Sequence, residues 1–261
     1  MGGEFFVSLP INGTAVTGFT LGNSQNSGRR PYQEDSFGYS SAEPAAVSRN
    51  GFAAVVSDGM GGLSAGDKVS AYTVSAVQHM FDNMPEGTRI HELFTHYINS
   101  VSSQVYKSGT GGGATVSAVY CSGSGVFWCS VGDSRIYLYR NGLLHQLSRD
   151  LDYQDQLLDR VIDGGLTFEE LVNDPKKDSL AEYVGSGEAL HPDVNIKPFV
   201  PEPGDKLFLC SDGVYNALTI PELLPELSKP AQECADGITA AVLAKQYENQ
   251  DNFTSVILEF R

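Results

Sequence analysis

Residues 115–148 read TVSAVYCSGSGVFWCSVGDSRIYLYRNGLLHQLS. Four apolar runs rich in β-branched and aromatic residues are separated by short polar breaks. Ser-Gly-Ser-Gly at 122–125 and Asn-Gly at 141–142 are hairpin signals, so the runs predict consecutive antiparallel strands. Upstream, SGTGGGA at 108–114 reads as a flexible connection. Before it, Val69, Thr73, Val77 and Met80 recur at helical spacing in a helix predicted from Ser64 to about Asn83. Pro85-Glu86-Gly87 breaks that helix, and a second runs from Thr88 to about Tyr106 with Ile90, Phe94, Ile98 and Val101 on one face. Each is polar on its other side and should cover a sheet. Further strands are predicted at 14–22, 51–57, 194–200, 206–210 and in the closing TSVILEF, with a polar loop over Asn23–Arg30. Helices are predicted at 220–228 and 230–247, and a polar, helical insertion at 152–190. This order is α+β with antiparallel sheets, not βαβ alternation, and two stacked sheets flanked by helices are its natural packing. No Pro/Ser linker divides the 261 residues, so one domain over 1–261 is expected.

Composition narrows the function. Hydrophobic residues make up 41%, enough for a sizeable core. A net charge of -15 argues against a nucleic-acid or anionic-membrane surface and makes phosphorylated substrates difficult to approach unless cations intervene. No apolar run reaches transmembrane length, and the start MGGEFFVSLPING lacks the charged and apolar regions of a secretory signal. Cys121, Cys129, Cys210 and Cys234 form no CxxC pair and read as buried reduced thiols, which points to the cytoplasm.

Acidic residues sit at strand ends. Apolar runs precede Asp58 (AAVVSDG), Asp133 (WCSVGDSR) and Asp212 (LFLCSDG); Asp251 stands just before TSVIL, and Glu34-Asp35 form a fifth site. Any one of these alone is an ordinary turn residue. If the strand ends converge, several carboxylates share a small volume, and they need a counter-cation or raised pKa values. Oxygen-only clusters suit Mg²⁺ or Mn²⁺. No calcium-loop pattern and no His or Cys pair with zinc-ligand spacing is present. Two such cations bridged by one carboxylate would acidify a water and aim hydroxide at phosphorus. Arg30, four positions before Glu34, is the candidate guanidinium for the phosphate oxygens; the alternative for it is a solvated loop arginine.

In this combination the chain resembles the metal-dependent protein phosphatases (PPM, or type 2C), over nearly its whole length and in motif order. The residues that carry the likeness are Arg30 with Gln33-Glu34-Asp35, Asp58-Gly59-Met60-Gly61-Gly62, Gly113-Ala114-Thr115, Gly132-Asp133-Ser134-Arg135, Ser211-Asp212-Gly213 and Asp251-Asn252-Phe253-Thr254. DGMGG and the compact length resemble the bacterial branch.

The resemblance implies a central sandwich of two antiparallel sheets with helix pairs outside and a flap at 152–190. It implies that Asp58 bridges two metals, that the Gly59 carbonyl ligates one, and that Asp212 and Asp251 complete the other. Glu34 would act through metal-bound water, Arg30 would bind phosphate, Asp35 would support the site, and Asp133 with Asp212 would hold a third ion near the flap. The implied function is Mn²⁺- or Mg²⁺-dependent hydrolysis of phosphoserine and phosphothreonine in proteins, among them a cognate Ser/Thr kinase or its substrates, by a monomer. A pseudophosphatase binding module and a small-molecule phosphohydrolase are the alternatives.

The chain departs from the family at Gln33, at Ala114, at Glu182 in the flap, and at Met60, where some members have a His proposed as general acid. A thioether donates no proton. His79, His91, His96, His145 and His191 lie outside the motifs and read as structural or solvated.

Overall fold

The structure, a computed structural model, describes residues 5–60, 65–85, 87–177 and 179–261. Gly61, Gly62, Ser64 and Glu86, on which expectations above fall, lie outside the described residues. The chain begins β1 (Phe5–Ser8), β2 (Gly18–Asn26), β3 (Ser36–Tyr39), α1 (Pro44–Asn50), β4 (Phe52–Ser57) and β5 (Gly59–Met60). Helices α2 (Gly66–Asp82) and α3 (Ile90–Ser108) follow, then β6 (Gly113–Ala114), β7 (Val116–Ser122), β8 (Gly125–Val131), β9 (Arg135–Arg140) and β10 (Leu143–Gln146). The 152–190 insertion carries α4 (Tyr153–Ile162) and α5 (Phe168–Val172). The remainder is β11 (Asp193–Val194), β12 (Lys206–Cys210), α6 (Asp212–Tyr215), α7 (Ile220–Leu227), α8 (Ala231–Ala244) and β13 (Phe253–Phe260).

Two antiparallel sheets form the centre, in the orders β1-β2-β13-β12-β9-β10 and β11-β8-β7-β4-β3. Side chains alternate across each strand, and this alternation builds the layers. In β12, Leu207 and Leu209 enter the core between the sheets, while Phe208 and Cys210 face α7 and α8. In β4, Phe52, Ala54 and Val56 face the same inter-sheet core, while Ala53 and Val55 face α2 and α3. The result is helix pair, sheet, sheet, helix pair, with three apolar interfaces. All four cysteines are buried and free, as expected.

Some expected boundaries are corrected. Asn23–Asn26 are strand rather than loop, because Ser24 pairs with Ser255 and Asn26 with Phe253 of β13. Partner geometry outweighs polar composition there. The strand expected at 194–200 shrinks to β11 plus an isolated bridge between Val126 and Phe199. Asn195 takes its place by donating its amide to the Val126 and Lys197 carbonyls, a side-chain substitute for a ladder.

Candidate active site

Strand β4 delivers Asp58 to one end of the sandwich. There the Asp58 backbone N–H donates to the Thr115 hydroxyl at 2.9 Å, and the Thr115 N–H returns a bond to the Asp58 carbonyl at 2.8 Å. The Thr115 and Ser134 hydroxyls lie 2.7 Å apart, so the turn carrying Asp133 is tied to the one carrying Asp58. A glycine is required next. A Cβ at Gly59 would run into the carbonyls of Gly66 and Glu34, so only glycine lets the start of α2 and the Glu34 loop close on Asp58.

Strand β12 delivers Asp212 beside β13. The Ser211 and Thr254 hydroxyls each donate to Asp35 Oδ2 at 2.7 Å, and the Thr254 N–H donates to the Ser211 oxygen at 3.0 Å. Asp35 is only 4% exposed, and its Oδ1 is buried with no hydrogen-bond partner. Asn252, also buried, clamps the loop opposite. Its side-chain oxygen accepts from Glu34 N–H at 2.7 Å, and its amide donates to the Ser27 and Tyr32 carbonyls, both at 3.0 Å. That clamp brings Arg30 to Asp251, where Nη2 meets Oδ2 at 2.6 Å.

One cavity of about 330 Å³ gathers Arg30, Glu34, Asp58, Gly59, Asp133, Asp212 and Asp251, with Met60 and Leu180 supplying apolar wall. Of the residues expected in the site, only Asp35 stands outside this lining, buried behind it. Arg30 lines the cavity through this ion pair while its side chain stays 55% exposed, so it is a lining residue and a solvated one at once. The residues the motifs did not assign are Thr115, Ser134, Asn252 and Thr254, the hydrogen-bonding frame beneath the acids. They lie inside the quoted motifs, which was the available signal.

The electrostatics match an acid-lined cavity with too little counter-charge. Burial, then repulsion from Asp35, Asp212, Asp133 and Asp251, pushes the Asp58 carboxyl well above its ordinary range. Asp212 is raised by burial and by Asp251 and Asp35; Asp35 is raised by burial against the lowering effect of its two hydroxyl donors. Burial and Asp212 push Asp133 up to about 6. Among the described residues no three of His, Cys, Asp and Glu are drawn tightly enough together to hold an ion as they stand. Asp251 is instead turned onto Arg30. The donor set is nonetheless all oxygen, and the elevated acids of the lining are what a divalent cation would satisfy.

Known proteins carry the same arrangement of elements. The solved serine/threonine phosphatase of S. agalactiae superimposes with a TM-score of 0.77 at 24% identity, covering 93% of this chain and 100% of that one. The catalytic domain of serine/threonine protein phosphatase PstP, solved in complex with two manganese ions, superimposes with a TM-score of 0.70 at 25% identity, covering 93% of this chain and 98% of that one. Among curated proteins, the serine/threonine protein phosphatase PstP of Mycobacterium tuberculosis is 29% identical over 210 residues, which are 78% of this chain but 39% of that protein's length. Residues 31–248 match the family Protein phosphatase 2C, and with the two-sheet fold and the acidic cavity in place, the chain belongs to that family.

Proposed function

We propose that this chain is a protein phosphatase that hydrolyses phosphoserine and phosphothreonine with Mn²⁺ or Mg²⁺ as cofactor. The observation that carries the reading is the convergence of Asp58, Asp133, Asp212, Asp251 and Glu34, from five separate segments, on one cavity that also holds Arg30. Asp58, the Gly59 carbonyl, Asp212, Asp251 and Glu34 would hold a metal pair, and Asp133 with Asp212 a third ion. When bound, such ions supply Lewis acidity and lower the pKa of a water. Arg30 binds the phosphate: its planar fork leaves Asp251 for two phosphate oxygens and sets the phosphorus over the acids. Asp35, fixed by Ser211 and Thr254, would support the site from behind. Met60 and Leu180 exclude water from one wall, and neither donates a proton to the leaving alkoxide.

Under this reading the chain is one catalytic domain with 152–190 as its flap. It acts on phosphoproteins, including a Ser/Thr kinase or that kinase's substrates, as a cytoplasmic monomer. Among the described residues no helix is long and apolar enough to cross a membrane. The test is turnover of a phosphothreonine peptide with Mn²⁺, alongside free phosphate esters. Metal-dependent peptide hydrolysis that is lost in Asp212→Ala supports the reading. Calorimetric phosphopeptide binding without turnover, or faster turnover of small esters, sinks it.

A further inference from the structure

The turn that carries Asp133 is gripped on both flanks by the base of the flap. Leu151 N–H donates to the Gly132 carbonyl at 2.8 Å, one residue before Asp133. Two residues after it, Arg135 lays its guanidinium on Asp150, with Nε and Nη2 donating to Oδ2 at 3.0 and 2.7 Å. The same short stretch is stitched to the flap's far end: Tyr153 N–H donates to Ser179 O at 2.8 Å, Ala181 N–H to Leu151 O at 2.9 Å, and Asp152 bridges Leu180. Leu180 lines the acidic cavity.

Arg135 has a second contact, toward the acids. Its Cζ lies 3.6 Å over the ring of Tyr215, and the Tyr215 hydroxyl donates to the Asp133 carbonyl at 3.0 Å. Tyr215 closes α6, and Asp212 opens it. The ring therefore ties the helix that presents Asp212 to the turn that presents Asp133. Arg135 and Asp150 are 25% and 17% exposed, so this forked pair is shielded enough to hold a geometry, unlike an open surface pair. A simple fold staple would need no contact with Tyr215. Here one guanidinium touches both the flap base and the brace between two like-charged carboxylates.

We propose that Arg135 is a positioning residue that couples the flap to the Asp133–Asp212 pair, so that filling the cavity with a divalent cation and seating the flap base are one equilibrium. The inference rests on the cavity's reading as a divalent-cation site and not on hydrolysis.

Hydrogen exchange on the full chain tests it, with Mn²⁺ titrated against an EDTA reference. The amides of Leu151, Tyr153 and Ala181 report on the flap base. Mn²⁺ slows their exchange in the unaltered protein. In Arg135→Lys, which keeps the charge but loses the fork, and in Tyr215→Phe, which loses only the hydroxyl, the Mn²⁺ midpoint of that protection rises about tenfold. Arg89→Lys, whose pair with Glu92 lies on the surface, leaves the midpoint unchanged. A merely structural role would lower the melting temperature in EDTA without moving the midpoint. The proposal is overturned if Mn²⁺ gives the unaltered flap base no protection, or if the variants keep its midpoint; should Arg135→Lys not fold, Tyr215→Phe decides alone. Peptide hydrolysis on the same samples separates the two readings. Coupling without turnover sinks the phosphatase reading only, and turnover without coupling sinks this inference only.

Discussion

Stripped of metal, this protein should become less stable as pH rises from 5 to 7.5. Asp133 sets the scale. Its carboxyl moves from 3.8 to about 6, chiefly by burial and then by Asp212 and Asp150. Between those values the folded chain keeps a proton that the unfolded chain has released. The folded state binds more protons, so stability falls with rising pH. The full separation amounts to about 3 kcal/mol, of which about 1.4 kcal/mol falls above pH 5, still a sizeable part of a typical domain's stability. At this chain length the part above pH 5 is roughly 3 to 6 °C in melting temperature. Asp35, Asp58 and Asp212 are raised too and push the same way, although mutual repulsion prevents their effects from simply adding. Glu170 and Glu222 are lowered, Glu222 to about 2, so what they contribute is lost only in acid below this window. The assay is a melting curve in EDTA at each pH, repeated with excess Mn²⁺. Cation binding requires ionised carboxylates, so Mn²⁺ should abolish or reverse the slope. Asp133→Asn should raise the metal-free melting temperature at pH 7.5 and flatten its pH dependence. A melting temperature in EDTA that is level or climbing across the window would refute the electrostatic account of the cavity.

Three further outcomes are expected. Arg30→Lys should lower kcat/KM on a phosphothreonine peptide roughly 10- to 100-fold through the lost fork, measured by steady-state kinetics. Thr254→Val removes one of two hydroxyl donors to a buried carboxylate and should cost about 1–3 kcal/mol in urea unfolding of the metal-free protein. Met60→His places an imidazole on the cavity wall; it should speed hydrolysis of the phosphothreonine peptide by about 100-fold or more, and leave p-nitrophenyl phosphate, whose leaving group needs no proton, nearly unchanged.

The sheets were legible because their signal is local. Alternation in β4, β7, β12 and β13 is written in consecutive residues, and the hairpin dipeptides mark where it turns. The short strands β1 and β3 and the polar end of β2 were not legible, because only a neighbouring strand makes them strands. Helix α6 is a single turn, too short to show a period. In the site, Asp58, Asp133 and Asp212 could be read because each ends an apolar run, and motif order did the rest. Their frame was harder to see. Nothing at 252 announces a clamp on residues 27–34, and nothing at 150 or 215 announces a contact with Arg135, since those pairings span long stretches of chain and exist only in three dimensions.

The ion pair between Arg30 and Asp251 has a consequence for the sequence in which the cavity fills. One carboxylate cannot serve a guanidinium and a metal ion at full strength together. While Arg30 rests on Asp251, the cavity's cationic arm is occupied and its acids repel any anion that drifts in. Under the proposed function, a cation settling on Asp251 would change both facts at once, because it would cancel negative charge and free the guanidinium. The pair would then act as a latch, with phosphate met by a receptive cavity only after a cation has taken Asp251.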